Sequence, residues 1–215
     1  MDLVTGDKIE QMSMETIDRE AGDHGFPPDE WAVIRRMIHA SADFSIMQLV
    51  RFNNDPIING IKALKNGAPI ITDTVMLKSG ISKARLSNIN PAYRDGNIFC
   101  NIADEEVKRL AKGHNLPRSV FNLRSLKDKV EGGIICIGNA PTALWEVIRL
   151  IEEENIKPAL VFAMPVGFIN VVETKEMIKK TDIPYILMDG RRGGTTFVVA
   201  AINAIIILAM KGSKK

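Results

Sequence analysis

Short continuous apolar runs alternate along the chain with longer stretches in which apolar residues recur at helical spacing. Continuous runs are typical of strands that are buried on both faces of a parallel sheet. They predict strands at residues 45–52, 69–72, 97–102, 133–137, 159–163 and 183–188. The helical patterns predict helices at residues 6–21, 28–42, 56–66, 104–112, 140–153, 171–180 and 194–210. This succession predicts a three-layer α/β/α fold, in which a doubly wound and mostly parallel sheet is covered on both faces.

Four loops rich in glycine, proline and polar residues each follow a predicted strand. They span residues 72–74, 138–142, 164–167 and 189–194. In a doubly wound sheet the ligand lies beyond the carboxyl ends of the strands, where the strand order reverses. We therefore expect the four loops to converge on one pocket.

Length and composition narrow the class of protein. A chain of 215 residues, 46% hydrophobic and 25% charged, predicts a single globular domain over residues 1–215. The net charge of +2 gives no overall attraction to nucleic acid or to an anionic membrane, so neither partner is expected. Any anion site must therefore be local.

The cysteines and the most apolar segment indicate the compartment. Cys100 and Cys136 lie in apolar segments without metal-ligand spacing, which favours core residues in a reducing compartment. The start of the chain shows no secretory pattern. Residues 195–210 contain Asn203 and are shorter than the roughly 20 residues of a membrane span. We therefore expect a cytoplasmic protein with a buried helix at this position.

Residues 190–196, Gly-Arg-Arg-Gly-Gly-Thr-Thr, form the most basic of the four loops and lead into a predicted helix. The segment combines flexible backbone around Gly193, guanidinium groups on Arg191 and Arg192, and a helix amino terminus that can offer N–H groups to an anion. One interpretation is a carboxylate or phosphate site. The other is a tight turn with solvated arginines, and the residues alone leave both open.

Residues 138–142, Gly-Asn-Ala-Pro-Thr, place Pro141 near a predicted helix start, with Asn139 available as a cap. Capping is the interpretation that the local sequence favours. In the second interpretation the turn presents backbone donors to a ligand, which makes Asn139 and Thr142 candidates for contact. The two roles are compatible.

The chain has three histidines, so candidates for acid–base catalysis near neutral pH are few. His24 and His114 lie in a loop and at a predicted helix end, as surface or capping residues do. His39 lies near the end of the second predicted helix, with Arg35 and Arg36 one turn earlier on the same face. This pattern alone favours a solvated basic face, and a catalytic histidine is the alternative.

Three other kinds of site are not supported by the sequence. No cluster of histidines, cysteines or carboxylates has the spacing of a metal site, so no metal is expected. Neither of the two standard nucleotide-binding glycine motifs is present. No nucleophilic-serine elbow follows a predicted strand.

Several segments, in the order in which they occur, resemble the precorrin-8 methylmutase family of cobalamin biosynthesis, whose members are also called precorrin isomerases. The most specific are residues 138–144 (GNAPTAL), 164–168 (MPVGF) with 173–176 (ETKE), and 190–194 (GRRGG). Shorter matches lie at residues 9–13, 36–40, 67–70, 73 and 85–86. The resemblance therefore covers nearly the whole chain.

The resemblance implies a cofactor-independent isomerase. Its substrate would be precorrin-8 or cobalt-precorrin-8, and a methyl group on ring C would migrate to a neighbouring ring carbon to give hydrogenobyrinate or cobyrinate. His39 would be the acid catalyst, and the family's substrate-contacting serine and arginine map to Ser13 and Arg36. Further candidates for contact with the tetrapyrrole carboxylates are Asn139, Thr142, Arg191, Arg192 and Gly193. The resemblance also implies a homodimer with sites near the subunit interface.

The chain departs from the family at Ser41-Ala42-Asp43, where many relatives have Thr-Gly-Asp. We expect the lost glycine to alter this turn. We also expect the charge of His39 to depend on substrate carboxylates that offset Arg35 and Arg36.

Two other classes of function are alternatives. A corrinoid-binding or carrier protein would keep the pocket without turnover, and the presence of His39, Arg36 and Ser13 argues against it. An enzyme acting on a nucleotide or sugar phosphate at the 190–194 loop is the second alternative. The missing nucleotide motif argues against that one.

Overall fold

The computed structural model describes residues 5–211. Six strands form one sheet within that range: β1 Val50–Asn53, β2 Ile70–Thr72, β3 Ile98–Phe99, β4 Ile134–Ile137, β5 Leu160–Ala163 and β6 Tyr185–Met188. Their order is β1-β6-β5-β4-β2-β3, with β1 antiparallel to β6 and the other neighbouring pairs parallel. The strand order reverses between β2 and β4, which is where a doubly wound sheet opens a crevice.

Helices connect the strands. They are α1 Gly6–Ala21, α2 Pro28–Ser41, α3 Pro56–Lys65, α4 Val75–Gly80, α5 Lys83–Ser87, α6 Glu105–His114, α7 Arg118–Arg124, α8 Pro141–Glu154, α9 Val171–Ile178 and α10 Thr195–Lys211. Short 3-10 helices lie at Phe44–Gln48, Pro91–Tyr93 and Lys127–Lys129.

Successive residues of the central strands point into two different cores. In β4, Ile134 and Cys136 join the apolar cluster beneath α2, α3 and α10, whereas Ile135 and Ile137 join the cluster beneath α7, α8 and α9. All four residues are 0% exposed. Burial of both faces explains why these strands read as continuous apolar runs in the sequence. The predicted three-layer α/β/α fold is confirmed.

Helix α10 is the apolar segment that the sequence predicts to be buried. It packs against α2 and α3, and its buried residues include Val198, Ile202, Ile205 and Ile206. Asn203 accepts a hydrogen bond from the Ser82 N–H at 3.0 Å and so fixes the start of α5 against this helix. In the part of the chain that the structure describes, no helix is long and apolar enough to cross a membrane.

The largest error of the sequence prediction lies at residues 45–52. The first part of that predicted strand is a 3-10 helix, and only Val50–Asn53 is extended. The Asp43 side chain accepts the Ser45 N–H at 2.8 Å, which starts the 3-10 turn. The predicted strand at residues 97–102 is likewise reduced to Ile98–Phe99, and the short helices α4, α5 and α7 were not predicted.

Candidate functional site

His39 is an exposed residue in the last turn of α2, at the edge of a groove between α1 and the end of α2. The groove has a volume of about 480 Å³, and Ser13 of α1 also lines it. Apolar side chains form most of its walls: Ile9, Met12, Ile17, Ile38, Ala42 and Phe44. His39 and Ser13 are thus two predicted site residues that the fold brings into one groove.

The hydroxyl of Ser13 is already engaged within its own helix. It donates a hydrogen bond to the Ile9 carbonyl oxygen at 2.9 Å. A hydroxyl oxygen keeps acceptor capacity while its proton is donated. Ser13 can therefore accept a hydrogen bond from a ligand N–H or O–H without breaking its contact with α1.

The guanidinium of Arg36 is paired with Glu10 of α1. Both residues line a second groove, of about 670 Å³, between α1, α2 and α10, and not the groove that contains His39. Arg35 pairs with Asp18 of α1 at 2.7 Å. The basic face that the sequence predicts beside His39 therefore carries two compensating carboxylates.

Helix α1 is held to α2 by several polar contacts and by one buried side chain. Its buried residue is Ile17, and Asp18 accepts a hydrogen bond from the indole Nε1 of Trp31 at 2.8 Å. In contrast, Ile9 and Met12 are 53% and 54% exposed. Helix α1 thus presents an apolar strip along the first groove.

The turn after His39 has a left-handed residue, Ala42, with φ 51° and ψ 34°. The Ala42 N–H donates to the Ile38 carbonyl oxygen at 2.7 Å, which closes the last turn of α2. Glycine is the usual residue at such a helix end, because a side chain is disfavoured in this conformation. Ala42 therefore holds a strained backbone conformation at the turn that the sequence predicts to be altered.

Arg192 ties the loop after β6 to this same turn. Its Nη1 donates to the Ser45 hydroxyl at 2.7 Å, and its Nη2 pairs with the Asp43 carboxylate. Hydrogen bonds from Ser45 and Arg192 lower the pKa of Asp43 to about 2. The pair is thus charged at neutral pH, and Arg192 connects two segments instead of extending freely into solvent.

Arg191 has no carboxylate partner among residues 5–211. Its guanidinium carbon lies 5.5 Å from the centroid of the Phe168 ring, and Phe168 is 80% exposed. A guanidinium that rests on an exposed aromatic ring keeps its N–H donors available to an anion. The arrangement therefore favours Arg191 over Arg192 as the anion contact, a choice that the sequence leaves open.

Close packing of two loops accounts for Gly193. A side chain there would place its first carbon 2.2 Å from the Met164 carbonyl oxygen and 2.5 Å from that of Pro165. The N–H of Gly194, where φ is +128°, donates to the same Met164 oxygen at 2.9 Å. Gly193 thus lets the loop after β6 lie directly on the loop after β5.

Lys175 of α9 is completely buried beneath the 190–194 loop. Its Nζ donates to the carbonyl oxygens of Gly190 at 2.8 Å and of Arg192 at 2.6 Å. Burial lowers the pKa of Lys175 to about 8, although nearby Asp189 opposes this shift. Sequence reasoning missed Lys175, because within Glu-Thr-Lys-Glu it reads as one charge of a solvated helix.

A buried carboxylate caps the turn after β4. Asp73, which is 1% exposed, accepts the N–H groups of Asn139 at 2.7 Å and Ala140 at 2.9 Å. Burial raises the pKa of Asp73, while these two N–H groups oppose the rise. Two backbone donors that could face a ligand are thus occupied within the chain. The predicted cap is wrong, because the N-cap of α8 is Ala140 and no side chain of residues 5–211, Asn139 included, caps the helix.

Thr142 lies in a third groove, of about 430 Å³, between α7, α8 and α9. Its hydroxyl oxygen is 2.7 Å from that of Ser119. Trp145 and Glu173 also line this groove, and it contains no residue of the His39 groove. Thr142 and His39 therefore lie in different grooves of one chain.

The four predicted loops meet along the carboxyl edge of the sheet. The Asp73 carboxylate joins the first loop to the second, and the Gly194 N–H joins the fourth to the third through Met164. The His39 groove, however, is lined by none of them. Residues 5–211 of one chain thus gather the loops at one edge but do not gather all the predicted site residues in one pocket.

The sequence profile of the precorrin-8X methylmutase family matches residues 8–208. The chain belongs to this family. Membership makes it an isomerase of cobalamin biosynthesis, and it confirms the family that the ordered sequence segments predict.

Relatives of the chain are similar to it over most of their length. The cobalt-precorrin-8 methylmutase of Leptospira interrogans is 41% identical, with 98% of this chain and 97% of that protein covered. The protein of the same name from Priestia megaterium is 42% identical, with 95% and 89% covered. The crystal structure of the precorrin-8X methylmutase from Thermus thermophilus has a TM-score of 0.87 and 39% identity, over 98% of this chain and 99% of that one.

Within residues 5–211, the methylmutase has no group of three or more histidine, cysteine, aspartate or glutamate side chains that could hold a metal ion. Cys100 and Cys136 are free thiols, and Cys136 is completely buried in the sheet. Among the predicted site residues, the structure brings His39 together with Ser13 and ties Arg192 to Asp43 and Ser45.

Proposed function

We propose that this methylmutase moves a methyl group on ring C of precorrin-8, or of its cobalt form, to a neighbouring ring carbon, with His39 as general acid. The products would be hydrogenobyrinate and cobyrinate, respectively. The observation that supports this role is the position of His39, exposed at the rim of an apolar groove on a helix that is anchored by one buried face. A rigid helix can hold an acid in a fixed place beside a flat, largely apolar macrocycle.

The chemistry needs a proton donor and no external group. Protonation of a macrocycle nitrogen by His39 withdraws electron density from ring C, which makes the carbon that receives the methyl group more electrophilic. The methyl group migrates within the molecule, and the proton is then returned, so the mass does not change. General acid catalysis typically contributes about 10²–10⁴ in rate.

The carboxylates of the tetrapyrrole need cationic partners. Arg191 is available, because its guanidinium lacks a carboxylate partner in the described part of the chain. Arg36 is occupied by Glu10, so a substrate carboxylate must share or displace that contact. Ser13 can accept a hydrogen bond at the rim of the His39 groove.

We also propose that the enzyme acts in the cytoplasm as a homodimer in which a second copy completes the site. Two findings support the second copy: Thr142 and Arg36 lie outside the His39 groove of their own chain, and Ile9 and Met12 remain about half exposed. A large substrate beside His39 would need contacts that one chain does not supply there.

The decisive experiment mixes the purified enzyme with precorrin-8 and, in a parallel sample, with cobalt-precorrin-8. Turnover gives a new visible spectrum at unchanged mass, and the faster arm identifies whether the natural substrate carries cobalt. Tight binding of both forms without spectral conversion would overturn the proposal in favour of a corrinoid carrier. Sedimentation of the same sample reports the oligomeric state.

A further inference from the structure

Lys175 is a buried charge that the proposed reaction does not use. Burying an ammonium group is costly unless its hydrogen bonds are satisfied, so a lysine in this setting is a candidate for a functional role. Its two acceptors are both main-chain oxygens of the 190–194 loop, on Gly190 and Arg192. The ammonium group therefore helps to fix the main-chain conformation of that loop.

The two acceptors lie on either side of Arg191 in the chain. The bonds to Gly190 and Arg192 measure 2.8 and 2.6 Å, as expected for donors that carry a charge. They fix the main chain immediately before and after Arg191. The Arg191 carbonyl oxygen is held as well, because it accepts the Gly167 N–H at 3.3 Å. These three hydrogen bonds together fix the direction in which the Arg191 side chain leaves the loop.

We infer that Lys175 is a positioning residue that holds the main chain on both sides of Arg191, so that this guanidinium faces a substrate carboxylate. The inference rests on the proposed function, because it takes a tetrapyrrole carboxylate as the ligand of Arg191. Lys175 is completely buried, so it acts through Arg191 and does not touch the substrate.

The neighbours of Lys175 provide a matched control. Two charged groups act on it directly: Lys179, just after α9, and Asp189, just after β6. These two in turn interact with Glu176, Tyr185 and Arg51. Lys179 lies one turn after Lys175 and contacts Asp189 at 2.7 Å. It makes no hydrogen bond to the carbonyl groups of the loop, so Lys179→Met removes the same charge without releasing Arg191.

The first test measures the affinity of the purified enzyme for hydrogenobyrinate by absorbance titration. Lys175→Met is expected to weaken binding about tenfold or more, whereas Lys179→Met should change it by less than about threefold. Equal losses in the two variants would overturn the inference, because they would reduce the role of Lys175 to general electrostatics. If the wild-type enzyme fails to bind this corrin, the proposed function is at fault and not the role of Lys175.

The second test varies the pH in a His39→Asn background, so that the His39 imidazole does not contribute to the measurement. Lys175 loses its proton as the pH rises through about 8, which weakens its two bonds to the loop. Affinity for hydrogenobyrinate should therefore fall between about pH 7 and about pH 9 when Lys175 is present, and should be low and flat in Lys175→Met. The same pH dependence with and without Lys175 would overturn the inference.

The third test needs no ligand. Amide hydrogen exchange at residues 164–167 and 190–194 should be faster in Lys175→Met than in the wild type, while the amides of β4 keep their protection. Lys179→Met should leave exchange in the loop unchanged. Unchanged exchange in Lys175→Met would show that the loop holds its path without this ammonium group, and would overturn the inference even if the enzyme binds no corrin.

Discussion

The Arg192 guanidinium donates a hydrogen bond to the Ser45 hydroxyl at 2.7 Å, and so ties the loop after β6 to the segment that follows His39. Its neighbour Arg191 rests on the Phe168 ring instead. Two adjacent arginines thus have different surroundings: one joins two parts of the chain, and the other keeps its donors free.

Arg191→Ala is expected to weaken binding of hydrogenobyrinate more than Arg192→Ala does. A hydrogen bond between a guanidinium and a carboxylate contributes about 1.5–3 kcal/mol, which corresponds to about 10- to 150-fold in affinity. Arg192→Ala should mainly lower turnover and the melting temperature, because the loop loses its link to Asp43 and Ser45. Absorbance titrations and thermal melts of both variants check this, and a larger loss of affinity in Arg192→Ala would contradict it.

Asp43→Asn is expected to reduce the loss of folding stability as the pH falls. The pKa of Asp43 is about 2, below its ordinary 3.8, because of hydrogen bonds from Ser45 and Arg192. A carboxyl group with a depressed folded-state pKa stabilises the fold above its unfolded pKa, and loses that contribution as the pH falls from about 4 to about 2. Denaturant unfolding at a series of pH values should therefore show a smaller acid loss in the variant.

Varying the salt concentration provides the control for Asp43, because the Asp43–Arg192 pair is partly exposed and salt screens its charges. The difference between the wild type and Asp43→Asn should shrink at high ionic strength. An equal loss of stability at acidic pH in the two proteins at low salt would mean that the hydrogen bonds of the Asp43 carboxylate with Ser45 and Arg192 contribute nothing to folding.

Ala42→Gly is expected to stabilise the fold. A side chain in the left-handed conformation costs roughly 1–2 kcal/mol, and the greater freedom of glycine in the unfolded chain offsets part of this. The net gain should be about 0.5–1 kcal/mol in urea unfolding. Ala40→Gly, inside α2, is the matched control and should destabilise by about 1 kcal/mol. A loss of stability in Ala42→Gly would show that the turn is not strained.

The sequence predicts a strand correctly where one physical effect decides the conformation of that segment. Strands β4, β5 and β6 are buried on both faces, so their apolar runs are continuous and their predicted ends lie within two residues of the observed ones. Residues 45–49 are also largely apolar, yet the Asp43 side chain starts a 3-10 turn there. A local side-chain bond decided between two conformations that the apolar pattern does not separate.

The surroundings of the candidate site residues depend more on tertiary contacts than the positions of the strands do. The glycine-rich loops were found at the carboxyl edge of the sheet, but the difference between Arg191 and Arg192 arises from Asp43 and Phe168, which are distant in sequence. Lys175 gave no signal, because its burial depends on how α9 packs beneath a loop from β6. Contacts of this kind produce no periodic pattern of hydrophobic residues in the sequence.

Glu10→Gln is expected to tighten binding of hydrogenobyrinate, while Arg36→Ala should weaken it by roughly 1.5–3 kcal/mol. Glu10 pairs with Arg36, so its charge competes with a substrate carboxylate for the same guanidinium. The pair is partly exposed and worth about 0.2–1 kcal/mol, which corresponds to a gain of less than about fivefold.

Asp18→Asn is the control for Glu10, because it removes the carboxylate that pairs with Arg35 and should leave the affinity unchanged. Titrations at low salt resolve differences of this size. Weaker binding in Glu10→Gln would mean that Glu10 orients Arg36 toward the substrate instead of competing for it.

His39→Asn is expected to slow turnover strongly while retaining binding of hydrogenobyrinate. The arginines that meet the carboxylates lie outside the His39 groove, so removal of the imidazole leaves them in place. The loss of rate should be about 10²–10⁴, the usual contribution of a general acid. Single-turnover absorbance with precorrin-8 measures the rate, and His114→Asn, at the end of α6, is the control. Near-normal turnover in His39→Asn would assign the proton to another group, and the carboxyl group of Glu20, which lines the same groove, would be tested next.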